Sequence, residues 1–284
     1  MQRSLIQPTR PSRSGFTLVE LLVVITIILI LAGLLTVAVF GAIENARIAQ
    51  VQSELTSLEK GMADFQMTFH DYPPSSFVID ESDMGWAPSE RNLILKYWPN
   101  YDFGTPIAFD ANGDGDTTDV IVLNGAESLV FFLGGVLSDD AAVPENRVPT
   151  GFSKNMAKPF QPGGSRVGPF HEFNTGQLRE SDDFKILVDP LTSSQKAYVY
   201  IHSDDYVNPT DALDGTGMTN VYTQGSSTDN FWKSQTFQLI SAGPDGRYGE
   251  GGAFNPDTAD DTLVGARVDE RDNITNFHQG KLAP

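Results

Sequence analysis

Three residues at the start of the chain have types and spacing that permit chemistry: Gly15, Phe16 and Glu20, in Gly15-Phe-Thr-Leu-Val-Glu20. Cleavage between Gly15 and Phe16 would create an α-amino group about one helical turn from the Glu20 carboxylate. Glu20 stands at the entrance of an apolar run, Leu21 to Ala42, that contains no charged residue. At about 1.5 Å per residue that run can cross a hydrocarbon core of roughly 30 Å. An unpaired carboxylate there costs a few kcal/mol, so its presence points to function and to a positively charged partner.

The preceding segment, Met1 to Gly15, carries Arg3, Arg10 and Arg13 and no acid. Such a basic leader keeps the N-terminus in the cytoplasm by the positive-inside rule. It is not an ordinary secretory signal, because the apolar segment exceeds a 7–15-residue core and no small-residue cleavage site follows it. Cutting after Gly15 leaves the helix on the mature chain.

On the residues Gly15-Phe16-Thr17-Leu18-Val19-Glu20-Leu21-Leu22, this arrangement resembles the class III leader of type IV pilins and type II secretion pseudopilins, over roughly the first fifty residues. The resemblance implies that a prepilin peptidase cuts after Gly15 and methylates Phe16. It also implies that Glu20 pairs with the N-terminal amine of a neighbouring subunit in a filament. Two opposite charges in lipid offset their desolvation best by pairing. A plain single-pass anchor is the alternative, but it leaves the leader, the Gly-Phe junction and the acid unexplained together.

The helix is expected to continue past the membrane. Val51, Leu55, Leu58, Met62, Phe65 and Phe69 recur in steps of four and three, with polar residues on the other faces. One helix from Leu18 to Phe69 follows, stopped by Tyr72-Pro73-Pro74. Its stripe should pack on a globular domain; a free coiled coil is the alternative. The expected organisation is a leader at 1–15, a membrane or filament-core helix at 16–43, an amphipathic helix half at 44–72, and a head at 73–284. The fold class is α+β: a long helix on a small antiparallel sheet with long loops, pilin-like.

The formal net charge is −18, and without the three leader arginines it stands near −21. Such a surface repels nucleic acid and anionic headgroups and suits cations. The chain has no cysteine, which excludes disulfides and thiol chemistry. Many type IV pilins close their C-terminal region with a disulfide, whereas pseudopilins often hold it with calcium, so the resemblance leans toward the latter. Candidate strands are Val120–Leu123, Lys185–Val188, Ala197–His202 and Thr236–Ile240, with a buried helix over Glu127–Leu137. Asn208 to Asp229 is polar and glycine-rich and reads as a mobile loop.

Two acidic clusters are candidate calcium sites. Asp110, Asn112, Asp114, Gly115, Asp116 and Asp119 fit the first half of the pattern D-x-[DN]-x-[DN]-G, in which alternate oxygens converge on one hard cation. The twelfth position, where a bidentate glutamate belongs, is Ile121. Asp119 could substitute. The plain alternative is a solvated turn. The second cluster, Ser241-Ala-Gly-Pro-Asp245-Gly246, resembles the C-terminal loop of the major pseudopilin. That resemblance implies calcium held by Asp245, Asp260 and Asp261, although Gly251 to Ala259 is an insertion relative to it.

Catalytic signatures are absent from the sequence. The four histidines, His70, His171, His202 and His278, form no HExxH pair. There is no G-x-S-x-G elbow or P-loop, and His202-Ser-Asp-Asp205 reads as a polar turn. The expectation is a non-enzymatic assembly subunit of the inner membrane, with one pass, a cytoplasmic N-terminus and a periplasmic or surface head. The implied partners are further copies of the chain, prepilin peptidase, other pseudopilins and an assembly platform. The rivals are a type IV pilus subunit and a membrane-tethered calcium-dependent binding or hydrolytic domain.

Overall fold

The computed structural model describes residues 15–138, 147–181, 184–191, 195–225 and 229–283. Leader residues Arg3, Arg10 and Arg13 lie outside them. The chain divides into two compact units, Met1–Ala46 and Arg47–Pro284.

Helix α1 spans Leu18–Phe69, as its periodicity and flanking signals predict. In the first unit every described apolar side chain from Phe16 to Ile43 is exposed. In the second unit the predicted stripe is buried: Val51, Leu55, Leu58, Met62, Phe65 and Phe69 are each 5% exposed or less. The helix ends at His70, whose φ of 67° is the left-handed conformation common just after a helix C-terminus.

After α1 come β1 (Phe77–Asp80), α2 (Pro88–Tyr97), β2 (Val120–Leu123) and α3 (Gly125–Gly134). Strands β1 and β2 pair antiparallel, with Phe77 opposite Leu123 and Asp80 opposite Val120. Along β2 the residues alternate between exposed and buried, the signature of a sheet with one face on the core. A capping box starts α3. Asn124 Oδ1 accepts from the amides of Ala126 and Glu127, and Glu127 Oε2 accepts from the amide of Asn124. All of α3 is buried, which its continuous apolar sequence requires. Phe65 and Phe69 of α1 meet this region edge-on, with Phe65–Phe132 at 5.9 Å and Phe69–Trp98 at 5.4 Å between ring centroids.

Short antiparallel pairs follow: β3 (Phe152–Ser153) with β4 (Arg166–Val167), and β5 (Leu178–Glu180) with β6 (Lys185–Leu187). The central sheet is formed by β7 (Val199–His202) and β9 (Phe237–Ser241), with β11 (Ile274–Thr275) on the far side of β9. Between them in sequence lie β8 (Thr223–Gln224), β10 (Ala253–Phe254) and the one-turn helix α4 (Ala259–Thr262). Both faces of β7 and β9 are buried. Tyr198, Tyr200 and Leu239 face a core shared with α1 and α3. Val199, Ile201 and Ile240 face a second core with Leu213, Tyr222, Phe254 and Leu263. That period of two lets one small sheet separate two cores.

The architecture is α+β. The stripe of α1 is packed into a domain core, as expected over the coiled-coil alternative. The segment Asn208–Asp229 departs from its reading as a mobile loop. Its described part buries Ala212, Leu213, Met218, Val221 and Tyr222 in the second core. Glycine and aspartate between these residues masked an apolar content too irregular for helix or strand periodicity.

Candidate functional site

The first site is the start of α1. Thr17 is the residue before the helix, and Glu20 is its third helical residue. Glu20 Oε2 accepts from the Thr17 amide and hydroxyl, both at 2.9 Å. Thr17 Oγ1 accepts from the Glu20 amide at 3.2 Å. This reciprocal pair is a capping box, and its signature Thr-x-x-Glu was legible in the sequence but went unread there. Glu20 thus starts the helix as well as offering a charge. The box holds the carboxylate over the first turn, against Thr17. Phe16 is 77% exposed, and a substituent on Gly15 would meet nothing within 4 Å. Phe16 and the Glu20 carboxylate are thus both exposed among the described residues.

The acidic loop after Phe109 folds onto its own amides. Asp110 accepts from the amides of Gly113 and Gly115, and its Oδ2 pairs with Arg147 Nη1 at 3.1 Å. Asn112 Oδ1 accepts from the Asp114 amide, and Asp114 Oδ1 from the Asp116 amide. Asp116 Oδ1 accepts from Thr117 and Thr118. Gly115 takes a φ of 95°, which explains glycine at the turn. Asp119 is pushed above the ordinary carboxylate range by desolvation and by Asp114 and Asp116.

Sequence reasoning missed Glu81. It is fully buried, and its Oε1 accepts from the amides of Ala111 at 2.7 Å and Asn112 at 3.3 Å. Burial pushes its carboxyl up to about 7, with Asp110 and Asp119 adding to the rise against the pull of those two amides. No local motif marks Glu81. Only the pairing of β1 with β2 brings it to the loop.

The third site follows β9. Gly243 has a φ of 64°, and a Cβ there would stand 2.1 Å from the Asp272 carbonyl oxygen, so the loop is pressed against that residue. The Asp245 amide donates to Asp272 Oδ2 at 3.0 Å. Asp245 is raised by burial, while burial and Asp245 push Asp272 up to about 6. Asp272, unread in the sequence, is thus the carboxylate beside Asp245. Asp260 is instead ion-paired with Arg271, and Asp261 is exposed on α4. The insertion Gly251–Ala259 forms β10 and a short 3-10 turn, and these carry Asp260 to that pair. Among the described residues no three acidic or histidine side chains converge as metal ligands.

His202 is buried, and its Nδ1 accepts from the Asp204 amide, capping a turn over Ser203–Asp205. Burial, its largest influence, lowers its pKa below the ordinary imidazole value.

Residues 10–36 match the model of the prokaryotic N-terminal methylation motif. No curated protein and no solved structure matches the chain significantly. With a helix long and apolar enough for one membrane pass beginning at Leu18, inside that match, the chain carries a class III prepilin leader, the signal of type IV pilins and pseudopilins.

Proposed function

We propose that this chain is a structural, non-enzymatic subunit of a pilus-like filament, and that it serves type II protein secretion in the manner of a major pseudopilin. One observation carries the filament assignment. A cleavable Gly15–Phe16 junction and a cap-forming Glu20 open a helix whose apolar side chains from Leu18 to Ile43 are all exposed where described. Exposed apolar surface of this extent requires lipid or other apolar helices to cover it. In the proposed cycle a prepilin peptidase removes the basic leader and methylates Phe16. The subunit waits in the inner membrane with its head outside the cytoplasm. The Glu20 carboxylate then meets the Phe16 amine of a neighbour as the helices bundle, which sets axial register and neutralises both charges in an apolar core.

The cysteine-free chain and the loop at Ser241–Gly246 favour secretion over a surface pilus. Calcium at the C-terminal loop is part of this proposal. Asp245 and Asp272 are the carboxylates available to hold it, and a bound cation would offset their mutual repulsion.

The test is Glu20→Ala in cells, with filaments sheared from the surface or from overexpressing cells. Loss of filaments with normal amounts of processed subunit supports assembly through Glu20. Normal filaments with Glu20→Ala refute it. Secretion of cargo separates the two machines: a pseudopilin variant loses secretion, and a pilus variant loses surface fibres alone.

A further inference from the structure

The loop Asp110–Asp119 lacks its own closing glutamate, because Ile121 at that position turns into the core and is 2% exposed. The β1–β2 pairing brings another one. Ile79 stands opposite Ile121 and Asp80 opposite Val120. The next residue, Glu81, donates its amide to the Asp119 carbonyl at 3.0 Å and accepts from the Phe109 amide at 2.9 Å. Its backbone therefore ties together the two ends of the acidic loop.

The side chain turns under the loop. Glu81 is fully buried, and while Oε1 accepts the amides of Ala111 and Asn112, Oε2 is buried with no partner. A buried carboxylate oxygen without a partner is costly, and proteins normally satisfy it with a donor or a cation. Among the described residues Glu81 forms no ion pair. Arg147, packed against the loop, pairs through Nη1 with Asp110, while its Nε is buried without a partner. A hard divalent cation suits this loop, whose side chains include oxygen ligands at Asp110, Asn112, Asp114 and Asp119.

We propose that Glu81 is the missing carboxylate of a calcium-class site in this loop, supplied across the sheet by the neighbouring strand rather than by the loop's own sequence. The loop side chains now rest on loop amides, and no three acids converge. Binding therefore draws the carboxylates of Asp110 and Asp114 from those amides toward Glu81 Oε2. The consequence is mechanical. The cation would fasten β1 to the segment entering β2, and so lock the end of the head that holds α2 and Trp86. The inference is independent of the filament assignment, because it concerns the head alone.

The experiment is calorimetric titration of the full chain, purified in detergent and stripped with chelator, using calcium chloride. Three proteins are compared: the unaltered chain, Glu81→Gln and Asp245→Asn. Glu81→Gln keeps the shape and the acceptor for both amides while removing the charge. Expected is a calcium-binding event that Asp245→Asn retains and that Glu81→Gln weakens by about tenfold or more. Asp114→Asn, on the exposed part of the loop, should weaken the same event without threatening folding. Equal binding in the unaltered chain and Glu81→Gln overturns the proposal. So does an unaltered chain with no calcium event, or one whose calcium event is lost in Asp245→Asn.

Discussion

The two halves of α1 answer the same problem in opposite ways. From Leu18 to Ile43 the described apolar side chains surround the helix and are exposed. From Val51 to Phe69 they form a single stripe, and the chain covers it itself. The polar flanks of the second half are also used: Glu54 accepts from Gln177 and Tyr198, and Glu59 from Lys233 and Asn276. The first half is completed by its surroundings and the second by its own fold. A mutation in the first half should therefore change processing and assembly, and one in the second should change stability.

The largest test of that contrast is all-or-none. Gly15→Val puts a branched side chain at the scissile bond and should leave the leader uncut, with the head as stable as before. Processing of Gly15→Val at the normal rate, read by the size of the subunit in membranes, would break the contrast at its origin. Next in size is Phe65→Ala, in the buried stripe. Removing this fully buried ring should cost about 3–5 kcal/mol in denaturant unfolding of the head. A loss below about 1 kcal/mol would mean that the second half of α1 is not integrated in the core.

A pH series sharpens the account of the head. Asp189 accepts from Ser241 and from the Leu191 amide, yet burial pushes it up to about 6. The folded form therefore favours the protonated acid. Its contribution is full below about pH 4, the ordinary value, and is lost as pH rises through about 6. Relative to Asp189→Asn, the unaltered chain should lose on the order of 2 kcal/mol between pH 4 and 7. A flat difference across that range would contradict the burial argument. The smallest effect belongs to Thr17→Ala, which removes one side of the capping box. It should cost about 1 kcal/mol at the first turn of α1, read by faster amide exchange there, with head stability unchanged.

Legibility in the sequence followed the same divide. Helix α1 was readable from end to end, because a long period and a double proline mark it. Strands β2, β7 and β9 were readable because their apolar runs are continuous or strictly alternating. Strand β1 and helix α2 were not. Phe77–Asp80 is short and ends in acids, and Pro88–Tyr97 has a modest apolar face with only Ile94 and Tyr97 buried. At the sites, Gly15, Phe16 and Glu20 are local in sequence and so were visible together. Glu81 and Asp272 were invisible for the opposite reason: each reaches its acidic loop across a strand pairing or a chain return that no spacing rule encodes. The neighbouring acids Asp260 and Asp261 seemed closer to Asp245 by motif, and the inserted segment carries Asp260 to Arg271 instead.

The central claim is that the chain becomes a filament subunit by cleavage at Gly15–Phe16. Intact-mass and N-terminal sequence measurement of the protein from envelope and sheared fractions tests it most directly. The account predicts a mature chain that begins with methylated Phe16. A chain that still begins at Met1 in both fractions would contradict it and leave a tethered domain with an uncut anchor.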